Sequence, residues 1–285
     1  MTNLLWYILL GVISVVVSSY VIYKKRNIYK VSTLIVFYFF ITGATWIGEF
    51  IVLGLFNSYV YKIGVFADPW AQNLLGHLIL NTTLYPTTAI LLVAYSLGYG
   101  WIILFTALYV LIEYVFIQLG IYEHHWWKYY MTAIVVIVYL STAKYWFAKI
   151  IQKPIGIIRT LTFFFVAMLV IHTPTPILLL LGKQHYQLDL INKFFINFYI
   201  SSIIVAFVNH LIMSFILIIF VCKLRKWYWR TVPFIISIIT LTTYTNMGIL
   251  VIDNGWKFIY YLLIEQICIA TFILIEKYTL KPNVH

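Results

Sequence analysis

The chain has 285 residues, 64% of them hydrophobic and only 9% charged, with a mean hydropathy of +0.97. A soluble domain is about a quarter charged and a disordered chain is poor in apolar residues, so both classes are excluded. What remains is an all-α polytopic bundle of transmembrane helices. The formal charge of +11, from 19 Lys and Arg against 8 Asp and Glu, sits in short clusters between apolar runs. It therefore reads as membrane topology and not as a nucleic-acid surface.

A hydrocarbon core of roughly 30 Å takes about 20 apolar residues per helix. Nine spans are predicted, at 4–23, 31–57, 70–96, 101–121, 129–150, 160–181, 195–222, 232–252 and 258–277. Alternation of polar and apolar residues is absent, which argues against a barrel. The first span follows Met1-Thr-Asn-Leu-Leu-Trp, with neither a basic leader nor a cleavage site, so it is expected to be retained; Lys24-Lys25-Arg26 ends it. The second carries Trp46 and Glu49, with Gly43 and Gly48 expected to thin it for close neighbours. Asp68-Pro69 opens the third, where Asn73, His77 and Asn81 fall at i, i+4 and i+8 and form one polar stripe. Gly98-Tyr99-Gly100 separates it from the fourth, which carries Tyr109 and Glu113 one turn apart.

The loop Tyr122-Glu-His-His-Trp-Trp-Lys128 reads as an interfacial anchor, since adjacent histidines are not the i, i+4 pair that chelates from a helix. In the fifth span Lys144 is expected to snorkel to the cytoplasmic end. The sixth is interrupted by His172-Thr-Pro174-Thr-Pro176, where two prolines free backbone carbonyls. Either a broken helix lines a cavity there, or a proline kink packs on its neighbours. Asn209-His210 lies in the seventh span, a polar patch Thr242-Thr-Tyr-Thr-Asn246 in the eighth and Glu265 in the ninth; Asp253-Asn254-Gly255 divides the last two. Cys222 and Cys268 read as packing residues, with no metal-type spacing.

Basic residues orient the stack. Lys24, Lys25, Arg26, Lys30, Lys144, Lys149, Lys153, Arg159, Lys223, Arg225, Lys226, Arg230, Lys277 and Lys281 fall on one side, and Lys62, Lys128, Lys183, Lys193 and Lys257 on the other. The positive-inside rule then predicts an external N-terminus and a cytoplasmic C-terminus. The loops His125-Trp-Trp127-Lys128-Tyr129 and Asn254-Gly-Trp256-Lys257-Phe258 lie 129 residues apart. Within one integral membrane domain they suggest two parallel four-helix repeats, over 31–150 and 160–277.

Ionisable side chains inside spans are costly, about 2.5–3.5 kcal/mol at mid-depth on insertion scales, so each marks a candidate site. Glu49, His77, Glu113, His172 and Glu265 all fall roughly 10–14 Å below the outer ends of their predicted helices. Gathered around a polar cavity they would bind a small solute or cation, with Asn73 and Asn81 as supporting ligands. Three carboxylates and two imidazoles include donor types that a divalent ion takes, although the metal question stays open at this point. Paired singly, they would only hold helices together.

The segment from Trp46 and Glu49 through Asp68-Pro69, Pro86 and Glu113 to Tyr122 and Trp127-Lys128 resembles an uncharacterised family of small multi-span membrane proteins from spore-forming Gram-positive bacteria. The resemblance covers residues ~40–150, and it implies a bacterial cytoplasmic membrane or a spore membrane, with no assigned activity. His-Glu-x-x-His, G-x-S-x-G, phosphate-cradling glycine loops and cysteine clusters are all absent from the sequence, and no cofactor is expected. Three functional classes remain: a small-solute or cation transporter or channel, coupled to protons or not; a structural or assembly protein; and an intramembrane enzyme acting on a lipid or isoprenoid.

Overall fold

A computed structural model of the chain describes residues 3–152, 156–224, 226–253 and 255–280. Met1, Thr2, Lys153, Arg225, Asn254 and Lys281, used in the reading above, lie outside the described residues. The chain forms two compact units, Met1–Ile158 and Arg159–His285.

The first unit begins with α1 (Leu4–Lys25) and α2 (Val31–Glu49), which runs on as a π-helical turn over Phe50–Leu55. A short strand β1 (Tyr59–Tyr61) leads to α3 (Pro69–Ala94), then α4 (Tyr99–Gln118), strand β2 (Tyr122–His124) and α5 (Tyr129–Gln152). The predicted start of α3 is confirmed in detail. Pro69 occupies the first turn, and Asp68 Oδ1 accepts from the amides of Trp70 at 2.8 Å and Ala71 at 3.1 Å, filling two of the amides that a helix start leaves unpaired. The break between α3 and α4 comes at Tyr95–Gly98, so Gly100 lies in the first turn of α4. Pro86 sits inside α3 and cannot bond the Thr82 carbonyl; the Tyr38 hydroxyl of α2 donates to that oxygen instead, at 2.6 Å.

The strands are the feature that periodicity did not disclose. β1 and β2 pair antiparallel, with Tyr59 opposite His124 and Tyr61 opposite Tyr122. They join the α2–α3 loop to the α4–α5 loop and so bring both to one end of the unit. Tyr61 approaches α3 closely: a methyl group on Gly76 would meet the Tyr61 ring at 2.6 Å. Gly76→Ala is therefore expected to cost about 1–3 kcal/mol by overpacking and to lower the thermal midpoint in detergent. Gly48→Ala, at a site where nothing lies within 4 Å of the added carbon, is expected to leave it unchanged.

The second unit has α6 (Ile157–His172), α7 (Pro174–Leu180), strand β3 (Gln184–Tyr186), a short α8 (Asp189–Phe194), α9 (Phe198–Leu217) with a π-helical end at Ile218–Lys223, α10 (Val232–Asn246), strand β4 (Leu250–Ile252) and α11 (Phe258–Tyr278). β3 and β4 again pair antiparallel, Gln184 opposite Ile252 and Tyr186 opposite Leu250. The order from α2 to α5 and from α6 to α11 is thus alike: helix, strand, helix, helix, strand, helix, once α6 and α7 are taken as one helix and the short α8 is set aside.

Eight segments among the described residues are long and apolar enough to cross a membrane. The eighth predicted span, 232–252, is different. Its helix ends at Asn246 after 15 residues, about 22 Å at 1.5 Å per residue, short of a hydrocarbon core. Gly248, at φ +70°, turns the chain, and Leu250–Ile252 leaves the helix to pair with β3. The predicted interruption of the sixth span is slight. Only Thr173 separates α6 from α7, its backbone stays helical (φ −53°, ψ −43°) and its amide still bonds the Leu169 carbonyl at 3.0 Å, so the two prolines form a joint within a continuing helix.

Candidate functional site

In the first unit α2, α3, α4 and α5, with the strand pair, enclose a cavity of about 350 Å³. Glu49, Glu113 and Asn81 line it, together with Tyr59, Tyr61, Tyr85, Tyr109, Tyr122 and Tyr139. Glu49 is the last α-helical residue before the π turn of α2; such turns re-aim the side chains around them and are frequent at functional sites. Its Oε1 accepts from the Tyr61 hydroxyl at 2.9 Å, and Tyr59 and Asn81 are also within hydrogen-bonding reach of the carboxyl.

Glu113 is 8% exposed. Its Oε1 lies 2.5 Å from His124 Nε2 of β2, while its Oε2 is buried without a hydrogen-bond partner among the described residues. A buried carboxyl oxygen left unmatched costs free energy, which sets Glu113 apart in the cavity lining, although Oε2 itself has no open surface there. The tyrosine hydroxyls are largely tied to protein: Tyr139 donates to the Tyr85 carbonyl at 2.6 Å, and Tyr109 shares a hydrogen bond with Thr88 at 2.9 Å. What these residues offer a ligand is mainly ring surface.

The remaining residues of the α3 stripe do other work. Asn73 Oδ1 accepts from the Tyr61 amide at 2.8 Å and so anchors β1. His77 packs against Trp46, ring centroids 4.8 Å apart, and bonds Asn81 at 3.2 Å through its Nδ1. The two are not among the cavity's lining residues. Gly48, expected to admit a neighbouring helix, faces open space and lines the cavity. Lys144 donates to the Leu97 carbonyl and lies 4.8 Å from the Tyr99 ring centroid.

His172 and Glu265 belong to the second unit, where His210 connects them. His172 Nδ1 is 2.9 Å from His210 Nδ1, and His210 Nε2 is 3.5 Å from Glu265 Oε1. The Tyr261 hydroxyl donates to Glu265 at 3.1 Å and meets the Tyr186 hydroxyl at 3.0 Å. All five side chains are buried. These are proton-bearing groups in two hydrogen-bonded sets, His172 with His210 and Glu265 with Tyr261 and Tyr186, and His210 Nε2, 3.5 Å from Glu265, has no hydrogen-bond partner among the described residues. Metal ligation fits them poorly, because Glu265 approaches the His210 ring from the side opposite His172. Among the described residues no three His, Cys, Asp or Glu are arranged to hold a metal ion.

The strands also carry one exposed pair, Lys62 with Glu123. The hydrogen bond and charge of Lys62 hold the Glu123 carboxyl below the usual carboxylate range. Its contribution is present above that range and is lost as pH falls through the lowered value, and both side chains are about half exposed, so solvent keeps it under about 1 kcal/mol.

From sequence His210 stood out with Asn209 as a polar pair in its span and His124 as part of an interfacial anchor, neither placed at a site, and the tyrosine walls were missed. The only hint was Tyr59-Val-Tyr61, a three-residue alternation too short to separate from loop. No protein family, no curated protein and no solved structure matches the chain.

Proposed function

We propose that the protein is a multi-pass transporter for a small cationic solute, with its binding site in the cavity of the first unit. The observation that carries this reading is two carboxyl residues, Glu49 and Glu113, in the lining of one cavity, the second with an oxygen that has no hydrogen-bond partner among the described residues. In hydrocarbon a carboxyl without a partner is unfavourable, and a bound cation would supply one. The buried groups from Tyr186 to His172 support proton coupling only in part: transporters carry protons along linked groups of these kinds, but the step from Glu265 to His210 is a 3.5 Å approach without a hydrogen bond. A purely structural role is less well supported, since helix packing gives no reason to enclose a cavity around two carboxyl groups.

With α10, extended at its start by the helical turn Trp227–Thr231, counted as a ninth crossing despite its 15 residues, the charge asymmetry of the loops supports an external N-terminus and a cytoplasmic C-terminus, in the cytoplasmic or spore membrane of a bacterium. Membership of the spore-former family that residues 40–150 resemble is part of the same proposal. So is an ancestral duplication. It is supported by the shared element order and by one recurring contact: the Tyr61 amide bonds Asn73 Oδ1, the Tyr186 amide bonds Ser202 Oγ, both at 2.8 Å, and Asn73 and Ser202 are 129 residues apart, as are Trp127 and Trp256.

Cation flux into proteoliposomes tests the reading. Gly48→Phe fills the cavity from a position with free space beside it and is expected to abolish flux, while Gly48→Ala retains it. Equal flux in both would remove the cavity from the transport path.

A further inference from the structure

The cavity of the first unit also indicates which chemical class of cation it takes. Its walls are aromatic and are held at fixed angles. Tyr85 stacks on Tyr109 with centroids 5.2 Å apart, and Tyr139 meets Tyr85 edge-on at 6.0 Å. On the strand side Tyr59 lies 5.2 Å from Tyr122 and 5.8 Å from Trp127. Two carboxyl groups, Glu49 and Glu113, are part of the lining, beside Asn81 and aliphatic side chains such as Ile41, Leu80 and Val136.

An inorganic ion such as K⁺ or Mg²⁺ is held by several oxygens that replace its water. Three of the six lining tyrosine hydroxyls that could do so are already bonded to protein, Tyr61 to Glu49, Tyr109 to Thr88 and Tyr139 to the Tyr85 carbonyl, which leaves few oxygens to surround such an ion. An alkylammonium ion makes opposite demands. Its charge is spread over methyl or methylene groups, it is weakly hydrated, and it is attracted to the faces of aromatic rings. A carboxylate nearby balances its charge without needing direct coordination. At about 350 Å³ the space lies near the lower end of ligand pockets, about 300–1,000 Å³, so it suits a compact ion.

We infer that the cavity between α2, α3, α4 and α5 is a binding site for a small organic ammonium ion, with Glu49 and Glu113 as counter-charges and the tyrosine rings as the cage. This deepens the proposed function and rests on its choice of site, but it is a statement about binding and needs no movement across a membrane.

The test is equilibrium binding of choline to the full-length protein in detergent, beside 3,3-dimethylbutan-1-ol, the neutral compound of nearly the same shape. Saturable choline binding is expected, with the neutral compound weaker by roughly thirtyfold or more. Glu113→Gln should weaken choline by a similar factor. Tyr85→Phe should retain binding, and Tyr85→Leu should lose about three- to thirtyfold; Gly48→Phe should eliminate it, with thermal melting to show that each variant is folded. Equal affinity for the neutral compound would overturn the inference and leave an apolar pocket. Displacement of choline by K⁺ at equal concentration would overturn it in favour of an inorganic ion. Absence of choline binding in a folded protein that still moves inorganic cations would overturn it while leaving transport intact, and choline binding without flux would sustain it while removing transport.

Discussion

Glu113→Gln is expected to lower cation flux by roughly thirtyfold or more, the usual scale for losing one side of a buried charge interaction. The amide keeps the size of the carboxyl and still offers an oxygen to His124, which now lies 2.5 Å from Oε1. What it removes is the ionisable carboxyl, whose Oε2 has no hydrogen-bond partner among the described residues. Stability should therefore change little while flux collapses, and that separation distinguishes a binding role from a structural one. Glu49→Gln should behave in the same direction, because the amide oxygen can still accept from Tyr61. Glu123→Gln is the control: this carboxyl is half exposed and paired with Lys62, so flux should persist and stability should move by less than about 1 kcal/mol. Flux assays on the three variants, with melting curves in the same detergent, check the set. Equal flux in Glu113→Gln and Glu123→Gln would contradict it.

The largest stability effect is expected at the far end of α11. Glu276 Oε1 accepts from Arg159 Nη2 at 2.5 Å, and Oε2 accepts from Arg230 Nη2 at 3.3 Å. Arg159 is 6% exposed, and its guanidinium also packs over Phe163 at 4.7 Å and donates from Nε to the Leu280 carbonyl at 3.2 Å. Removing the carboxylate strands a buried guanidinium, which costs about 3–5 kcal/mol. Glu276→Ala should therefore melt well below the parent chain, and Glu276→Gln should fall between them. Arg230→Ala should be the mildest of the three, because Arg230 is 28% exposed and water compensates for part of the loss. Differential scanning fluorimetry orders the three variants. A Glu276→Ala protein as stable as the parent would mean that Arg159 has another partner for its charge.

Much of the scaffold was legible because its signals are strong and local. Runs of some 20 apolar residues mark helices whatever they pack against, and Asp68-Pro69 announces a helix start through backbone chemistry alone. The polar patch of α10 was legible as polar but not as the end of a helix. Thr242 and Thr243 tolerate a helix, and only the pairing of Leu250–Ile252 with β3 draws the chain away. That pairing joins segments more than 60 residues apart, and three-residue strands carry too little periodicity to register. The site divides the same way. Glu49 and Glu113 were identifiable because a carboxyl in an apolar run is costly wherever it lies. Their shared cavity, the role of His124 and the cage of tyrosines depend on how loops fold back over helices. Tyr59 and Tyr122 read as ordinary aromatic residues near helix ends until the strands place them. Gly48 was misread for a related reason: a small residue on a helix makes room equally for a neighbour or for a cavity, and sequence does not say which.

The site proposed in the first unit requires that the Glu113 carboxyl, part of the cavity lining, be reachable from the cavity. Dicyclohexylcarbodiimide, an apolar reagent that couples to accessible carboxyl groups, tests it without any assumption about substrate. After treatment of the protein in membranes, digestion and mass spectrometry should find the adduct on the peptide bearing Glu113, and Gly48→Phe should suppress it, while Glu276 between its two arginines stays unmodified. Modification of Glu276 with none on Glu113, or a Glu113 adduct indifferent to Gly48→Phe, would contradict the account.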